Sequence, residues 1–241
     1  MKHKVVSHEE WLAARKKHLI EEKEFTRRRD GLSQARRDLP WERVDKEYVF
    51  EGPTGRASLS DLFDGRSQLV IYHAMFNPDT ATRQTTWTQN AACQACSFWI
   101  DNFNQIAVHL NHRDITILAM SQARYPKIAA YKKRMGWTIP YVSSADSEFN
   151  FDYGVSASSE DVAAGRRDYN YGTIQHPMTE RPGISVFFKD DQSVVYHTYS
   201  TYARGLDMLN VAYHYMDLVP KGRDEAHGPM AWLRRHDEYE D

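Results

Sequence analysis

The sequence is poor in cysteine, and it has neither a long hydrophobic run nor an excess of charge of either sign. Its two cysteines among 241 residues cannot build the disulfide scaffold of a small secreted domain. Its longest apolar run, LVIYHAMF, is far too short to span a bilayer. Lysine and arginine total 31 against 33 acidic residues, so the charge gives no indication of a nucleic-acid partner.

The first segment, MKHKVVSHEEWLAARKK, also lacks the apolar stretch of a secretory signal. We therefore expect a cytoplasmic protein that binds neither membrane nor nucleic acid. In a reducing compartment, two thiols are more typical of a reactive or metal-binding pair than of a permanent disulfide.

The N-terminal segment predicts a long and mostly exposed helix. Over residues 8 to about 30, a few apolar side chains lie among many charges, and Ser7 with Glu10 forms a capping-box pattern. We expect Gly31 and Pro40 to break this helix.

The rest of the chain alternates β-rich runs with amphipathic helices. QLVIYHAMF and DITILAM predict strands buried on both faces, separated by a helix that begins near Ala92. YPKIAAYKKRMGW predicts a helix from Pro126 to Gly136. ISVFFKDDQSVVYHT predicts a hairpin with its turn at residues 189–192, and GLDMLNVAYHYMDLVP predicts a final helix ended by Pro220.

A parallel β-α-β half followed by an antiparallel hairpin is the element order of a thioredoxin-type fold. We therefore predict an α/β protein with a thioredoxin-like fold, a central mixed sheet flanked by helices, and an N-terminal helical extension. The predicted parts are a helical arm over residues 1–45, a thioredoxin-like domain over 46–225 and a C-terminal tail over 226–241. The arm has a thin apolar stripe with Trp11 and Leu19, which is compatible with a homodimer.

The two cysteines, in ACQACS, fall at the start of the helix that follows the first central strand. A helix N-terminus presents unpaired N–H groups and the positive end of the dipole, which favour a thiolate. We expect Cys93 to attack a disulfide or an oxidised substrate, and Cys96, one turn further on, to resolve the mixed disulfide. The expected partner is a protein disulfide or a small thiol. This chemistry needs no cofactor.

Other interpretations of the pair remain open. Cys93 is also a candidate for a thiol peroxidase, and both cysteines are compatible with simple core packing in a non-catalytic binding module. A metal site is a further alternative, with Cys93, Cys96 and His176 as ligands. His73 and His197 are weaker candidates because they lie within predicted strands, and His214 because it lies on a predicted helix.

The candidate site also includes Arg181 and Pro182, which directly precede the strand GISVFF. Pro182 directly precedes this strand and is predicted to shape a substrate groove, although an ordinary loop proline fits the pattern equally well. Arg181 is placed to bring a guanidinium near the Cys93 thiolate and to lower its pKa, the alternative being a solvated surface charge.

Several motifs together resemble those of the bacterial thioredoxin-like family catalogued as a domain of unknown function: EEWLAARKKHL, RRDLPW, YVFEGPTG, QLVIYHAMF, CQACSFWIDNFN, YSTYARGLD and DLVPKGRDE. The resemblance runs from about Val5 to Glu225. It implies a thioredoxin-like fold related to the peroxiredoxin and alkyl-hydroperoxide-reductase group, but no proven reaction. It places the family's cysteine pair on Cys93 and Cys96, and on Pro182 a strand-opening proline that is cis in the thioredoxin architecture.

The sequence departs from the better-known members of that fold at two points. The cysteines enclose Gln94 and Ala95, where thioredoxin has Gly-Pro. Peroxiredoxins place Thr or Ser three residues before the attacking cysteine, whereas that position here is Asn90 and Thr88 lies two residues too early. The pattern therefore favours dithiol exchange over a peroxidase mechanism.

Two connections are long for a compact domain, residues 75–92 and 144–181, and such loops are typically functional. We predict that the first folds over the thiols, with Trp87 covering them and Asn77 or Thr85 lining the approach.

Overall fold

The chain divides into two units, Met1–Pro40 and Trp41–Asp241, in the computed structural model. The structure describes residues 3–76, 87–166 and 168–240. The three-part division expected from the sequence stays a prediction, because compactness alone does not test which parts fold independently.

The first unit consists mainly of helix α1, His8–Arg37, which has no buried residue along its length. Its capping box is confirmed: the Ser7 hydroxyl accepts the Glu10 N–H at 3.2 Å, and the Glu10 carboxylate accepts the Ser7 N–H at 3.1 Å. The predicted break at Gly31 is wrong. One glycine costs a helix only about 1 kcal/mol, and the arginines of the last turn complement the helix dipole, so the helix continues.

The second unit is built on a mixed sheet of eight strands among the described residues. The strands are β1 Glu42–Arg43, β2 Val49–Gly52, β3 Gly55–Ser58, β4 Gln68–His73, β5 Ile115–Ser121, β6 Tyr141–Ser143, β9 Gly183–Lys189 and β10 Val195–Tyr202, while β7 Asp168–Tyr169 and β8 Ile174–Gln175 form a separate ribbon. Their order in the sheet is β1-β10-β9-β4-β5-β6-β2-β3. Strands β4, β5 and β6 are parallel, and β9 and β10 form the predicted antiparallel hairpin.

The helices of the second unit are α2 Gln94–Asn111, α3 Tyr125–Arg134, α4 Phe149–Asp152, α5 Ser159–Ala163 and α6 Val211–Met216, with 3₁₀ helices at Asp61–Phe63 and Ala203–Leu209. The α3 prediction is confirmed, with Pro126 in its first turn and Gly136 at φ +65° beyond its end. None of the helices in the described part of the chain has the length and apolar character needed to cross a membrane.

The predicted final helix is wrong in one respect, because it is interrupted at Asn210. The 3₁₀ helix ends there, and α6 begins at the next residue. The Asn210 backbone is extended, and its side-chain oxygen accepts the Ala212 N–H at 3.1 Å. Asparagine is a strong N-cap residue, so it starts a new helix here instead of continuing the old one.

The fold prediction is confirmed: a β4-α2-β5 unit is joined to the β9-β10 hairpin in one mixed sheet flanked by helices, a thioredoxin-like fold. Successive residues of β4 point to opposite faces, with Leu69 and Ile71 in one apolar cluster and Tyr72 in the other. Both cysteines lie in the cluster that contains Tyr72. Tyr72 near the end of β4 and the two cysteines at the start of α2 therefore pack together on one face of the sheet.

Candidate thiol site

Cys93 lies immediately before α2, as its N-cap residue. Its backbone N–H donates to the Met75 carbonyl at 3.0 Å, which ties the start of the helix to the chain leaving β4. Its own carbonyl accepts the Ser97 N–H and the Ser97 hydroxyl, each at 2.9 Å. The predicted placement of the pair at the helix N-terminus is thus observed.

Cys96 lies one turn into α2, and the Met75 N–H donates to its Sγ at 3.2 Å. The two cysteines approach each other to 3.8 Å, and both are in the thiol form. A disulfide bond is about 2.05 Å long, so a short movement of the side chains suffices to form one.

Both cysteines have 0 % of their surface exposed. The predicted attack on a substrate requires an open thiol, whereas both cysteines lie within an apolar core cluster. The small apolar side chain of cysteine fits such a core position. A cavity of about 350 Å³ adjoins the pair, and its lining includes Cys96 and Pro182. Because Cys96 has no exposed surface, side chains of the wall must move before a reactant in the cavity can touch its sulfur.

Burial raises the pKa of the Cys96 thiol well above its ordinary value, and the neighbouring Cys93 raises it further. The Met75 N–H and the Tyr72 hydroxyl act in the opposite direction, because both donate hydrogen bonds to the sulfur. At neutral pH Cys96 is therefore a thiol that carries two donors ready to stabilise a developing negative charge.

The expectation of a cis peptide bond before Pro182 is wrong, because the described residues contain only trans bonds. Hydrogen bonds hold the residues on both sides of that bond. The Arg181 N–H donates to the Val155 carbonyl at 2.9 Å, and the Pro182 carbonyl accepts a hydrogen bond from the Tyr169 hydroxyl. The trans form is also intrinsically favoured by about 0.5–1 kcal/mol.

Arg181 is only 3 % exposed, so it is not the solvated surface charge considered as an alternative. Its guanidinium donates through Nη1 to the Asp168 carbonyl and lies 5.7 Å from the centroid of the Tyr169 ring. Its Nε and Nη2 have no hydrogen-bond partner among the described residues. Burial lowers the pKa of this guanidinium.

The predicted metal-ligand set is not assembled. The residues that the structure describes contain no group of three His, Cys, Asp or Glu side chains that could hold a metal ion, and Cys93, Cys96 and His176 are all among them. Instead, the His176 Nδ1 accepts the Met178 N–H at 3.3 Å, and its ring packs against Tyr169.

Arg235 is a site residue that sequence reasoning missed. It is 5 % exposed, and its Nε and Nη2 donate to the Ala92 carbonyl at 3.1 and 2.6 Å. Ala92 directly precedes Cys93, so the C-terminal segment, expected to be only a tail, fixes the turn that carries the thiol. An arginine within WLRRHDEYED has no pattern that could have shown this.

Glu180 is a second buried charged residue that the sequence did not reveal. Its carboxylate accepts a hydrogen bond from the Ser156 hydroxyl at 3.0 Å and another from the Phe76 N–H. Phe76 follows Met75, whose N–H meets the Cys96 sulfur. Burial raises the pKa of Glu180 to about 8.

The predicted lid is described only in part. Trp87 is buried in the same apolar cluster as the two cysteines. Asn77 and Thr85 lie outside the described residues.

Solved structures that resemble the chain include the peroxidoxin BcpB of Mycobacterium tuberculosis, at 14% identity and a TM-score of 0.45, covering 71% of this chain and 93% of that one. Peroxiredoxin Q of Xanthomonas campestris matches at 16% identity and a TM-score of 0.40, covering 70% of this chain and 89% of that one. A putative thiol:disulfide interchange protein DsbE of Chlorobium tepidum matches at 12% identity and a TM-score of 0.39, covering 72% of this chain and 97% of that one. Proteins this distant can share a fold and differ in function.

A comparison with curated proteins gave no match. A family model matches residues 1–239, nearly the entire chain, and its description is "Bacterial protein of unknown function (DUF899)". The chain belongs to this family.

Proposed function

We propose that the protein is a thiol-disulfide oxidoreductase whose Cys93 and Cys96 cycle between dithiol and disulfide. The observation that carries this proposal is the approach of the two thiols to 3.8 Å at the N-terminus of α2. In the reducing direction, the dithiol gives two electrons and two protons to a substrate disulfide. Two substrate thiols leave, and a Cys93–Cys96 disulfide forms.

The position of Cys93 at the N-cap suits it to act as a thiolate, since the first N–H groups of α2 and the helix dipole favour negative charge there. The sequence analysis gave it the first attack on substrate. Because the cavity lining includes Cys96 but not Cys93, we assign the first attack to Cys96 and the resolving attack to Cys93.

Pro182 and Arg181 are proposed to support the pair. Pro182 forms part of the cavity wall beside Cys96 and thus shapes the place where substrate binds. Arg181, buried and only partly hydrogen-bonded, is proposed to favour the thiolate through its charge. Peroxidase chemistry is the weaker candidate. Peroxiredoxins have Thr or Ser three residues before the attacking cysteine, whereas the residue three positions before Cys93 is an exposed asparagine, Asn90.

This function suits a reducing compartment such as the cytoplasm, where a dithiol can be regenerated by other thiols. The substrate is a disulfide of a protein or of a small thiol. A homodimer formed through α1 remains part of the proposal, and it does not affect the thiol chemistry described here.

The test is the reduction potential of the pair, measured by equilibrating the protein with defined thiol-disulfide mixtures and counting alkylated thiols by mass. We expect a reversible two-electron couple within about −220 to −320 mV, the range of cytosolic redox poise. Cys93→Ser and Cys96→Ser should each abolish the couple. Thiols that stay reduced under mild oxidant would indicate a packing role, and bound zinc in stoichiometric amount would indicate a metal site.

A further inference from the structure

The cavity beside Cys96 has a volume of about 350 Å³ and is the feature from which this inference starts. Its walls come from the end of β4, the first turns of α2, the residue before β9, the 3₁₀ helix after β10, α6 and the C-terminal segment. Large apolar and aromatic side chains dominate the wall, among them Tyr72, Met75, Trp99, Leu206, Tyr213 and Met230. Cavities of this size hold small molecules.

The two arginines at the cavity are already paired with carboxylates. Arg223 and Arg204 both donate to the Asp207 carboxylate, at 3.0 and 2.8 Å. The Glu225 carboxylate accepts the Met230 N–H at 2.8 Å. An anionic ligand would therefore compete with carboxylates for these arginines, whereas an apolar ligand would gain from the removal of its surface from water.

Cys96 is the lining residue whose side chain can exchange with a disulfide. Its Sγ accepts the Met75 N–H at 3.2 Å and a hydrogen bond from Tyr72, and both donors favour negative charge on the sulfur when its proton leaves. Cys93 lies 3.8 Å away, within reach of a substrate atom bound to Cys96. The apolar wall and the reactive sulfur thus belong to one site.

We propose that this cavity binds a small, uncharged disulfide with apolar substituents, and that Cys96 is the sulfur that attacks it. The proposal rests on the proposed function and adds the substrate class. Cys96 forms a bond to one substrate sulfur, the substrate S–S bond breaks, and the first thiol leaves with the Cys96 proton. Cys93 then attacks the Cys96 sulfur, and the second thiol leaves with the Cys93 proton.

The test compares a neutral probe, dipyridyl disulfide, with an anionic probe, the bis(nitrobenzoate) disulfide. Each is reacted with the Cys93→Ser protein, in which the mixed disulfide on Cys96 cannot be resolved, and each rate is divided by the rate with N-acetylcysteine. We expect the normalised rate of the neutral probe to be about tenfold higher or more. Equal normalised rates, or failure of both probes to label Cys96, would overturn the proposal.

Two alanines of α2 provide matched variants in the same Cys93→Ser background. Ala95 lines the cavity, whereas Ala107, half-buried on the same helix and packed against the same apolar cluster, does not line it. Ala95→Leu should slow the neutral probe about tenfold by filling the cavity, whereas Ala107→Leu should stay within about twofold of its parent. Equal effects of the two substitutions would contradict a cavity-bound substrate.

A competition experiment needs no substitution in the cavity wall. A dipyridyl thioether has the shape of the neutral probe but no disulfide to exchange, and it should slow labelling of Cys96 in the Cys93→Ser protein. Absence of competition at saturating thioether would overturn the cavity assignment even if Ala95→Leu proved unstable.

The wild-type protein separates failure of this inference from failure of the proposed function. With dipyridyl disulfide it should release two thiopyridones per chain and end as the Cys93–Cys96 disulfide. If a single thiopyridone is released and the mixed disulfide persists, the dithiol function fails while the cavity assignment stands. If the disulfide forms but both probes react alike, the substrate class fails and the function stands.

Discussion

The guanidinium of Arg235 donates two hydrogen bonds to the carbonyl oxygen of Ala92, the residue just before Cys93. The two residues are 143 positions apart in the chain. Because the Cys93 N–H is bound to Met75 at the same time, the turn that presents the thiol is held from both sides. The C-terminal segment is therefore a structural part of the thiol site.

Arg235→Met should loosen this turn. The substitution keeps an apolar stem but leaves a buried carbonyl without its donors, which costs about 1–3 kcal/mol in the free energy of unfolding. Alkylation of the thiols by iodoacetamide should also become faster. Urea unfolding and the alkylation rate measure the two effects.

Arg234→Met is the matched control, because Arg234 is exposed and adjacent to Arg235. An exposed substitution of this kind should change the free energy of unfolding by less than about 0.5 kcal/mol. If both variants behave alike, the contact with Ala92 does not hold the thiol turn.

Glu180→Gln should change how stability depends on pH. The folded-state pKa of about 8 lies above the ordinary value of 4.5, so between these values the unfolded chain releases a proton that the folded chain keeps. Stability should therefore fall as pH rises through that window, by at most about 1.4 kcal/mol per pH unit. Glutamine does not titrate, so Glu180→Gln should lack this loss of stability with rising pH.

Urea unfolding at about pH 5 and about pH 7.5 tests the sign of this effect. Wild-type protein should lose more stability across the interval than Glu180→Gln does. Glu160→Gln, at an exposed position on α5, should keep the wild-type dependence. The same pH dependence in all three proteins would exclude a protonated Glu180 in the folded state.

The central elements were predictable because their signals are local. The apolar run that ends in His73 has the composition of a buried parallel strand, and the i, i+4, i+7 spacing after Ala92 is that of a helix. These two elements alone place the cysteine pair at the helix N-terminus. The interruption at Asn210 was missed because the apolar spacing continues through this residue and predicts one helix, whereas the Asn210 side chain caps a new helix there.

The surroundings of the thiols were not predictable, because they come from distant parts of the chain. The cavity wall joins Tyr72, Pro182 and Met230, which no sequence spacing relates. Burial of the pair and the donors to Cys96 depend on how these parts pack. The sequence therefore indicated the reacting residues, while packing determines which sulfur a substrate can reach.

Arg181→Met tests whether the buried guanidinium supports the thiol chemistry. Methionine keeps the apolar stem and removes a buried charge with unpartnered nitrogens, so stability should stay within about 1 kcal/mol of wild type. Without the positive charge, alkylation of Cys93 at neutral pH should slow, measured in a Cys96→Ser background. Arg181→Lys keeps a charge and should retain more of the rate. Unchanged alkylation in both variants would remove Arg181 from the site.

Trp87 should report the redox state of the pair, since it is buried in the same apolar cluster. We expect tryptophan emission to differ between the dithiol and disulfide forms, and this difference to become smaller in Trp87→Phe, while Trp99 and Trp137 of the same cluster contribute the rest. Trp41→Phe, at an exposed tryptophan, should preserve it. A difference spectrum unchanged by Trp87→Phe would show that Trp87 does not cover the thiols.

The Cys93→Ser protein should show a high pKa for the remaining thiol. Burial is the largest cause of the raised pKa of Cys96, and it persists when Cys93 is replaced. The rate of alkylation by a neutral reagent should thus keep rising with pH beyond about 8.5, where free cysteine levels off. The pH profile of Cys96→Ser, with Cys93 at the N-cap, should level off at lower pH because the helix N-terminus favours its thiolate. Profiles in the reverse order would contradict the stabilisation of a Cys93 thiolate by the N-terminus of α2.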